Sequence, residues 1–469
     1  MPTKEAIKAL ADTFPSDRIA IAGTEDELTP AAILLPQDNN DVAKFVKLLA
    51  PFVLAGNVEF AVRGVGQQPA PGCSNIDSPG ITLDLQNLTG IEIKDGLVSV
   101  GAGEHWSAAY EKLTERGLGV TGSRSALGGI GRLALANGLS FFGSREGFIC
   151  DNVVNYEVVL SSGDIVNASA TENPKLWKAL LGGGNNFGII TRFDLRTFEQ
   201  GPFWGGALFY FPPSFPSQVQ AYCDKLHIPY ASKETHIMIS QGYTDAFAAL
   251  GGHFCMNQAY YTREVEKLAV LEPFVSVQPQ IEAMNSLRMM TLEDAAKEQA
   301  AQSSDGVRCA YMNTTVKADV TTLLAAAEIF NDSFQPLKEL EGMTSAFTLQ
   351  AYPVSLLEKC NNSLGISADD GPLMSILLLN RWKNKDDDEL VIGTFKKALE
   401  RIDEDAASRG TAVPYKYMNY VYNFQDPIGS YGIDNHQELL KISREYDPEG
   451  LFQEGVPGGF KLGKASAIE

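Results

Sequence analysis

Three glycine-rich stretches constrain this chain more than any other feature. The strand-like run VEFAV leads straight into RGVGQQ at Arg63 to Gln68. GSRSALGGIGRLALANG runs from Gly122 to Gly138, and LGGGNNFGIIT from Leu181 to Thr191. Glycine has no Cβ, so the backbone can come close to a ligand and turn through positive φ. Successive backbone N–H groups in such turns form concave nests that hold anions, a pyrophosphate among them. The plain reading of any one stretch is a tight turn between strands. None is a GxGxxG that opens a helix or a GxxxxGK[ST] loop, so neither a Rossmann site nor a P-loop is indicated.

The rest of the composition excludes several classes. A length of 469 residues favours at least two domains with a large core. A formal net charge of −20 and the absence of Lys/Arg stripes argue against a nucleic-acid surface. No apolar run approaches the roughly 20 residues that span a bilayer. The opening MPTKEAIKALADTFPSD lacks the apolar core of a signal peptide, so a cytoplasmic protein without membrane contact is expected. Five Asn-X-Ser/Thr triplets, at Asn87, Asn167, Asn313, Asn331 and Asn361, pull weakly the other way. The six cysteines include no CxxC pair, and no two histidines stand at i, i+4. Neither a disulfide framework nor a metal site is expected.

Texture divides the chain. Up to about residue 200 short strands alternate with helices. Helix Asp41 to Ala50 starts at Asn39/Asn40, and Trp106, Ala109, Tyr110 and Leu113 make a core-facing helical stripe. From Gly201 the strands lengthen: HFCMNQAYYT, RCAYMNTTV, AFTLQAYPV and LMSILLLNRW, with helices expected at Thr262 to Leu271, Lys317 to Phe334 and Asp387 to Arg409. Such a block predicts one sheet covered by helices on a single face, with the other face open to a ligand. After Pro414 turns return, with a helix at Asp434 to Tyr446. The expected organisation is a discontinuous first domain, residues 1–200 with 414–469, and an inserted domain, residues 201–413.

Several ordered segments carry a resemblance: RGVGQ, ITLDLQNLTGIEI, LVSVGAGEHW, Gly122 to Phe142, DNVVNYEVVLSSGDIVNAS, NPKLWKALLGGGNNFGIITRF, YMNY at Tyr417 to Tyr420, and YDPEGLFQ at Tyr446 to Gln453. Their order resembles the FAD-linked oxidases of the vanillyl-alcohol-oxidase (PCMH-type) superfamily, most closely the fungal berberine-bridge-enzyme-like branch. The resemblance implies an α+β fold, a PCMH-type FAD-binding domain with an inserted antiparallel-sheet-plus-helices substrate domain. It implies that Arg63, Gly64, Val65, Gly66 and Gln67, with Ser125, Gly128, Gly129, Gly131, Arg132 and Gly138, surround the pyrophosphate. Gly188, Ile189 and Ile190 would lie on the adenine or ribose side, and Tyr417 and Asn419 near the isoalloxazine.

The departures matter equally. Many relatives carry a His that bonds to the flavin methyl where this chain has Gln67, and some a Cys where it has Ser125. An amide nitrogen is not nucleophilic, so any FAD is expected to be non-covalent. Relatives have Gly at Val65, Arg132, Ala136 and Asn137. Arg132 has two readings: it pairs with pyrophosphate, or it fills a vacated site. On the sheet, Tyr260, Tyr311, Gln350, Tyr352 and Arg381 are substrate-side candidates; alternation puts Gln350 and Tyr352 on one face with Thr348. Tyr417, Gln350 and Tyr352 are the expected catalytic residues. The leading function is an FAD-dependent oxidoreductase, oxidase type, acting on a small organic molecule such as a secondary metabolite. A non-redox cyclase or isomerase that has lost FAD, and a binding protein with a dead cofactor site, are the alternatives.

Overall fold

The computed structural model describes residues 2–21, 28–228, 233–266, 268–302 and 306–464. Helix Asn39–Leu54 shows how local sequence sets an element. Asp38, one residue ahead of the expected start, accepts a hydrogen bond from the Asp41 backbone N–H and caps it. Val42, Phe45, Val46, Leu49 and Val53 recur at helical spacing and are all buried. In helix Trp106–Thr114 the stripe of Trp106, Ala109, Tyr110 and Leu113 is fully buried.

Three sheets organise the molecule. Strands β1 (Ile19–Ile21), β2 (Ala32–Leu34), β3 (Phe60–Arg63) and β4 (Ile81–Asp84) form a small mixed sheet in the order β1-β2-β4-β3. Strands β5 (Ile91–Lys94), β6 (Leu97–Gly101), β7 (Leu118–Val120), β8 (Val153–Val159), β9 (Ile165–Ser169) and β10 (Ile189–Glu199) form a second, antiparallel sheet. The long β10 is its spine, pairing with β6, β7 and β8.

The third sheet has eight antiparallel strands: β11 (Phe203–Tyr210), β12 (Thr235–Thr244), β13 (His253–Tyr261), β14 (Arg288–Met290), β15 (Arg308–Lys317), β16 (Thr344–Tyr352), β17 (Leu373–Trp382) and β18 (Ala412–Val413). Their order is β14-β11-β13-β12-β16-β17-β15-β18. Helices Phe215–His227, Val320–Phe334 and Asp388–Ser408 pack on one face, over Ile237, Ile239, Phe347, Leu349, Ile376 and Leu378. The other face carries His236, Met238, Gln258, Tyr260, Thr348 and Gln350, as alternation and register require.

No helix forms at Thr262 to Leu271 among the described residues. Instead Glu234 accepts hydrogen bonds from the Thr262 hydroxyl (2.6 Å) and the Arg263 guanidinium (2.9 Å), fixing a turn. A short helix begins only at Glu272, with Pro273 in its first turn. The C-terminal segment packs into the core of the first two sheets. Leu451, Phe452, Val456 and Leu462 join Val58, Phe60 and Val98 there, and the Phe60 N–H donates to the Gly455 carbonyl. The middle of the chain lends that core Met290, Leu292, Ala295 and Ala296. No described helix is long and apolar enough to cross a membrane.

Candidate cofactor and substrate site

The three glycine stretches meet at one cavity, which encloses about 1120 Å³ of space including its open mouth. Strand β3 delivers the first stretch. Arg63 does not line the cavity; its guanidinium is held by Asp84 (2.8 and 3.1 Å) and Asn75 (3.0 Å), and so pins the loop. Gly64, Val65, Gly66 and Gln67 line it, with Gln67 exposed at the mouth. Gly66 turns the chain at φ +82°.

The second stretch lies against the first. A Cβ on Gly129 would sit 2.8 Å from a Val65 methyl, so the side chain gained at Val65 fills the space left by that glycine. A Cβ on Gly131 would meet only Phe193, at 3.8 Å, so Gly131 faces the cavity. Gly188, Ile189 and Ile190 supply the third wall. Ser125, Gly128, Gly138 and Asn419 lie outside the lining. Gly138 answers to packing, since a Cβ there would come within 2.6 Å of Ile149 and Leu133. Sequence reasoning missed Gln68, Cys73, Asn185, Met418, Phe452 and Phe460, all of which line the cavity. The Gly458–Gly459 pair after the last long helix was the available signal for the final wall.

Arg132 decides what this cavity can bind. Its guanidinium donates to the Asn419 side-chain oxygen (2.9 Å) and the Met418 carbonyl (3.0 Å). Asn419 in turn donates to the Ala136 carbonyl. Among the described residues no carboxylate lies within ion-pair distance of Arg132, although it lines the cavity. Burial holds its pKa below the ordinary arginine value, and Cys73 and Tyr417 oppose that shift. A cation with only neutral partners beside open space fits a phosphate. Gln68 also lines the cavity, and its buried Oε1 has no partner among the described residues; it is an acceptor for hydroxyl or ring N–H groups. These features together fit a flavin nucleotide. Gln67 and Ser125 offer no nucleophile for a covalent link, and Cys73 is the thiol on the cavity wall.

Across the turn 417–420 lies a second polar cluster, on the helix-free face of the large sheet. Tyr420 Oη accepts from Arg124 (2.6 Å) and donates to Gln350 Oε1 (3.2 Å). The Arg124 guanidinium also lies 3.5 Å from His236 Nε2 and 2.6 Å from Met238 Sδ. Burial, reinforced by Arg124, pushes the His236 pKa well down, so this imidazole is neutral. Of the expected catalytic residues, Gln350 belongs to this cluster. Tyr417 adjoins it through the Tyr420 ring, 4.7 Å away, while its hydroxyl accepts from the Leu139 N–H (2.8 Å). Tyr352 is fully buried among Phe148, Tyr415 and Tyr417. Burial raises the pKa of both Tyr352 and Tyr417. Tyr260 is occupied by Gln299, 3.0 Å away. Arg124 and Tyr420 were not singled out in the sequence, because their meeting depends on two loops 296 residues apart.

Residues 30–169 match the family model for an FAD binding domain. The chain is 34% identical over 465 residues to the FAD-dependent monooxygenase tpcD of Cochliobolus heterostrophus, covering 94% of this chain and 86% of that one. The chain belongs to the same family of fungal FAD-linked oxidoreductases. A second member, the FAD-dependent monooxygenase FUP4 of Fusarium proliferatum, is 32% identical, covering 96% of this chain and 90% of its own. The fold of these FAD-linked oxidoreductases is shared with berberine bridge enzyme from Eschscholzia californica, at a TM-score of 0.76 and 14% identity, covering 97% and 99% of the two chains. FAD is therefore the cofactor of this oxidoreductase, and the glycine-lined cavity is the place in the molecule that suits it.

Proposed function

We propose that this oxidoreductase oxidises a small organic molecule of secondary metabolism, with FAD held non-covalently between the three glycine stretches. The observation that carries the reading is the cavity where the three glycine stretches meet, lined by Arg132, a guanidinium with no carboxylate partner among the described residues. Residues 1–200 with 414–469 make the cofactor-binding unit, and residues 201–413 supply the substrate floor. The backbone of residues 64–67 and 129–131, with Arg132, holds the pyrophosphate. Residues 188–190 bound the nucleoside. When bound, FAD accepts a hydride equivalent from the substrate. The chain's own task is to fix the substrate against it and to manage a proton, and Tyr420 is the phenol best placed for that. It is half-buried, between Arg124 and Gln350, whereas the hydroxyls of Tyr417 and Tyr352 are closed off by packing.

The purified protein tests this. A flavin absorption band near one FAD per chain is expected, and acid precipitation should release all of the yellow colour into the supernatant. Colour retained in the pellet would refute non-covalent binding and point to Cys73. A colourless preparation that stays colourless when FAD is added would refute the cofactor assignment.

A further inference from the structure

The cluster beside Tyr420 is short of negative charge. The chain carries 58 acidic residues, yet among the described residues none lies within ion-pair distance of Arg124. Its partners are a phenol, an imidazole and a thioether, all neutral. A half-buried guanidinium served only by neutral acceptors is poorly compensated, and its planar fork is shaped for two oxygens. A second donor stands beside it. Gln350 is 2% exposed, its Oε1 accepts from Tyr420, and its Nε2 has no partner among the described residues. Met238 and Gln350 are cross-strand partners, and His236 shares their face. Register thus fixes these groups on one surface, and Arg124 and Tyr420 close it from two loops.

We propose that Arg124 and Gln350 form a subsite for an anionic oxygen of the substrate, a carboxylate or an ionised enol or phenol. This rests on the reading of the chain as an oxidoreductase with a small-molecule substrate, and it names the class of that substrate. Arg124 supplies the charge and the Gln350 amide the second donor. Tyr420 holds both in place by accepting from one and donating to the other. A neutral amide of the same shape brings no charge to offset the guanidinium, so it is discriminated against.

The experiment uses the flavin-loaded protein and three probes: benzoate, 4-nitrophenolate and neutral benzamide. Binding is measured by calorimetry, which needs no flavin signal, and FAD content is read from absorbance on the same sample. Benzoate or 4-nitrophenolate should bind one per chain, at least about tenfold tighter than benzamide. The tighter of the two anions identifies a carboxylate or a phenolate subsite. Arg124→Met should weaken the anion by about tenfold to a hundredfold and leave benzamide unchanged. Arg124→Lys should recover part of that loss, and Gln350→Leu should weaken the anion several-fold with FAD content intact. Equal affinity of the wild-type protein for benzoate, 4-nitrophenolate and benzamide would overturn the proposal without any variant having to fold, and would make Arg124 a clamp for the 417–420 turn. Absence of FAD with selective anion binding would fail the cofactor reading while keeping the subsite; full FAD with no anion selectivity would do the reverse.

Discussion

At the scale of single residues, Arg132 is the one whose chemistry can be measured most directly. Its hydrogen bonds to Asn419 and to the Met418 carbonyl orient it without neutralising it. Arg132→Ala should therefore weaken FAD binding by about 1.5–3 kcal/mol, the range for a hydrogen bond to a charged group, read by flavin fluorescence titration. Arg132→Lys should recover little of this, because an ammonium cannot hold Asn419, the carbonyl and a phosphate in one plane. Residue identity alone does not tell a glycine that faces a ligand from one that faces a neighbour. Gly131 and Gly138 look alike in the sequence, but one opens on the cavity and the other on Ile149 and Leu133. The Asn313 triplet misleads in the same way, since Asn313 is fully buried and cannot carry a glycan.

Between residues and the whole stands the turn 414–425, and Asn313 of β15 is what anchors it. The Asn313 side chain accepts from the Tyr417 N–H (2.7 Å) and donates to Ser375 Oγ and the Ile376 carbonyl (both 2.8 Å). Gln425 answers from the turn, bonding both the N–H and the carbonyl of Asn313 (3.1 and 2.7 Å). Asn313→Ala leaves the buried Tyr417 N–H without a partner. It should cost about 1–3 kcal/mol in chemical denaturation, and it should lower FAD affinity through the displaced turn. Elements with one clear period were legible: the stripe at Trp106 and the long helices near residues 320 and 388 lie where the pattern puts them. Strands β11 and β12 were not, because both faces of each are largely buried and glycines interrupt them at Gly205, Gly206 and Gly242, so no alternation shows. Gly205 and Gly242 are required there by close backbone: a Cβ on Gly242 would fall 2.3 Å from the Ser345 carbonyl.

For the molecule as a whole, acidity and cofactor set stability. Asp151 is buried, and burial lifts its pKa to about 6, against hydrogen bonds from Asn361, Asn362 and Phe148. A carboxyl whose folded pKa is raised contributes stability below its unfolded value of 3.8, and that contribution is lost as pH rises through about 6. The protein should therefore gain about 1 kcal/mol from this group between pH 8 and pH 5, measured by urea unfolding. Relief of the −20 net charge acts in the same direction, so the part that disappears in Asp151→Asn isolates the buried carboxyl. Saturating FAD should add about 2.7 kcal/mol at a free concentration a hundredfold above its Kd, and stripping it should lower the melting temperature. Those walls also have a history in time. The loops at 64–68 and 129–136 and strand β10 leave the ribosome early, whereas Phe452, Val456 and Phe460 come some 270 residues after Ile190. At ~5–20 residues per second the interval is on the order of tens of seconds. Throughout it the nascent chain lacks the last wall of the cavity, so flavin loading is expected only on the finished chain, and a chain cut short before residue 452 should accumulate colourless.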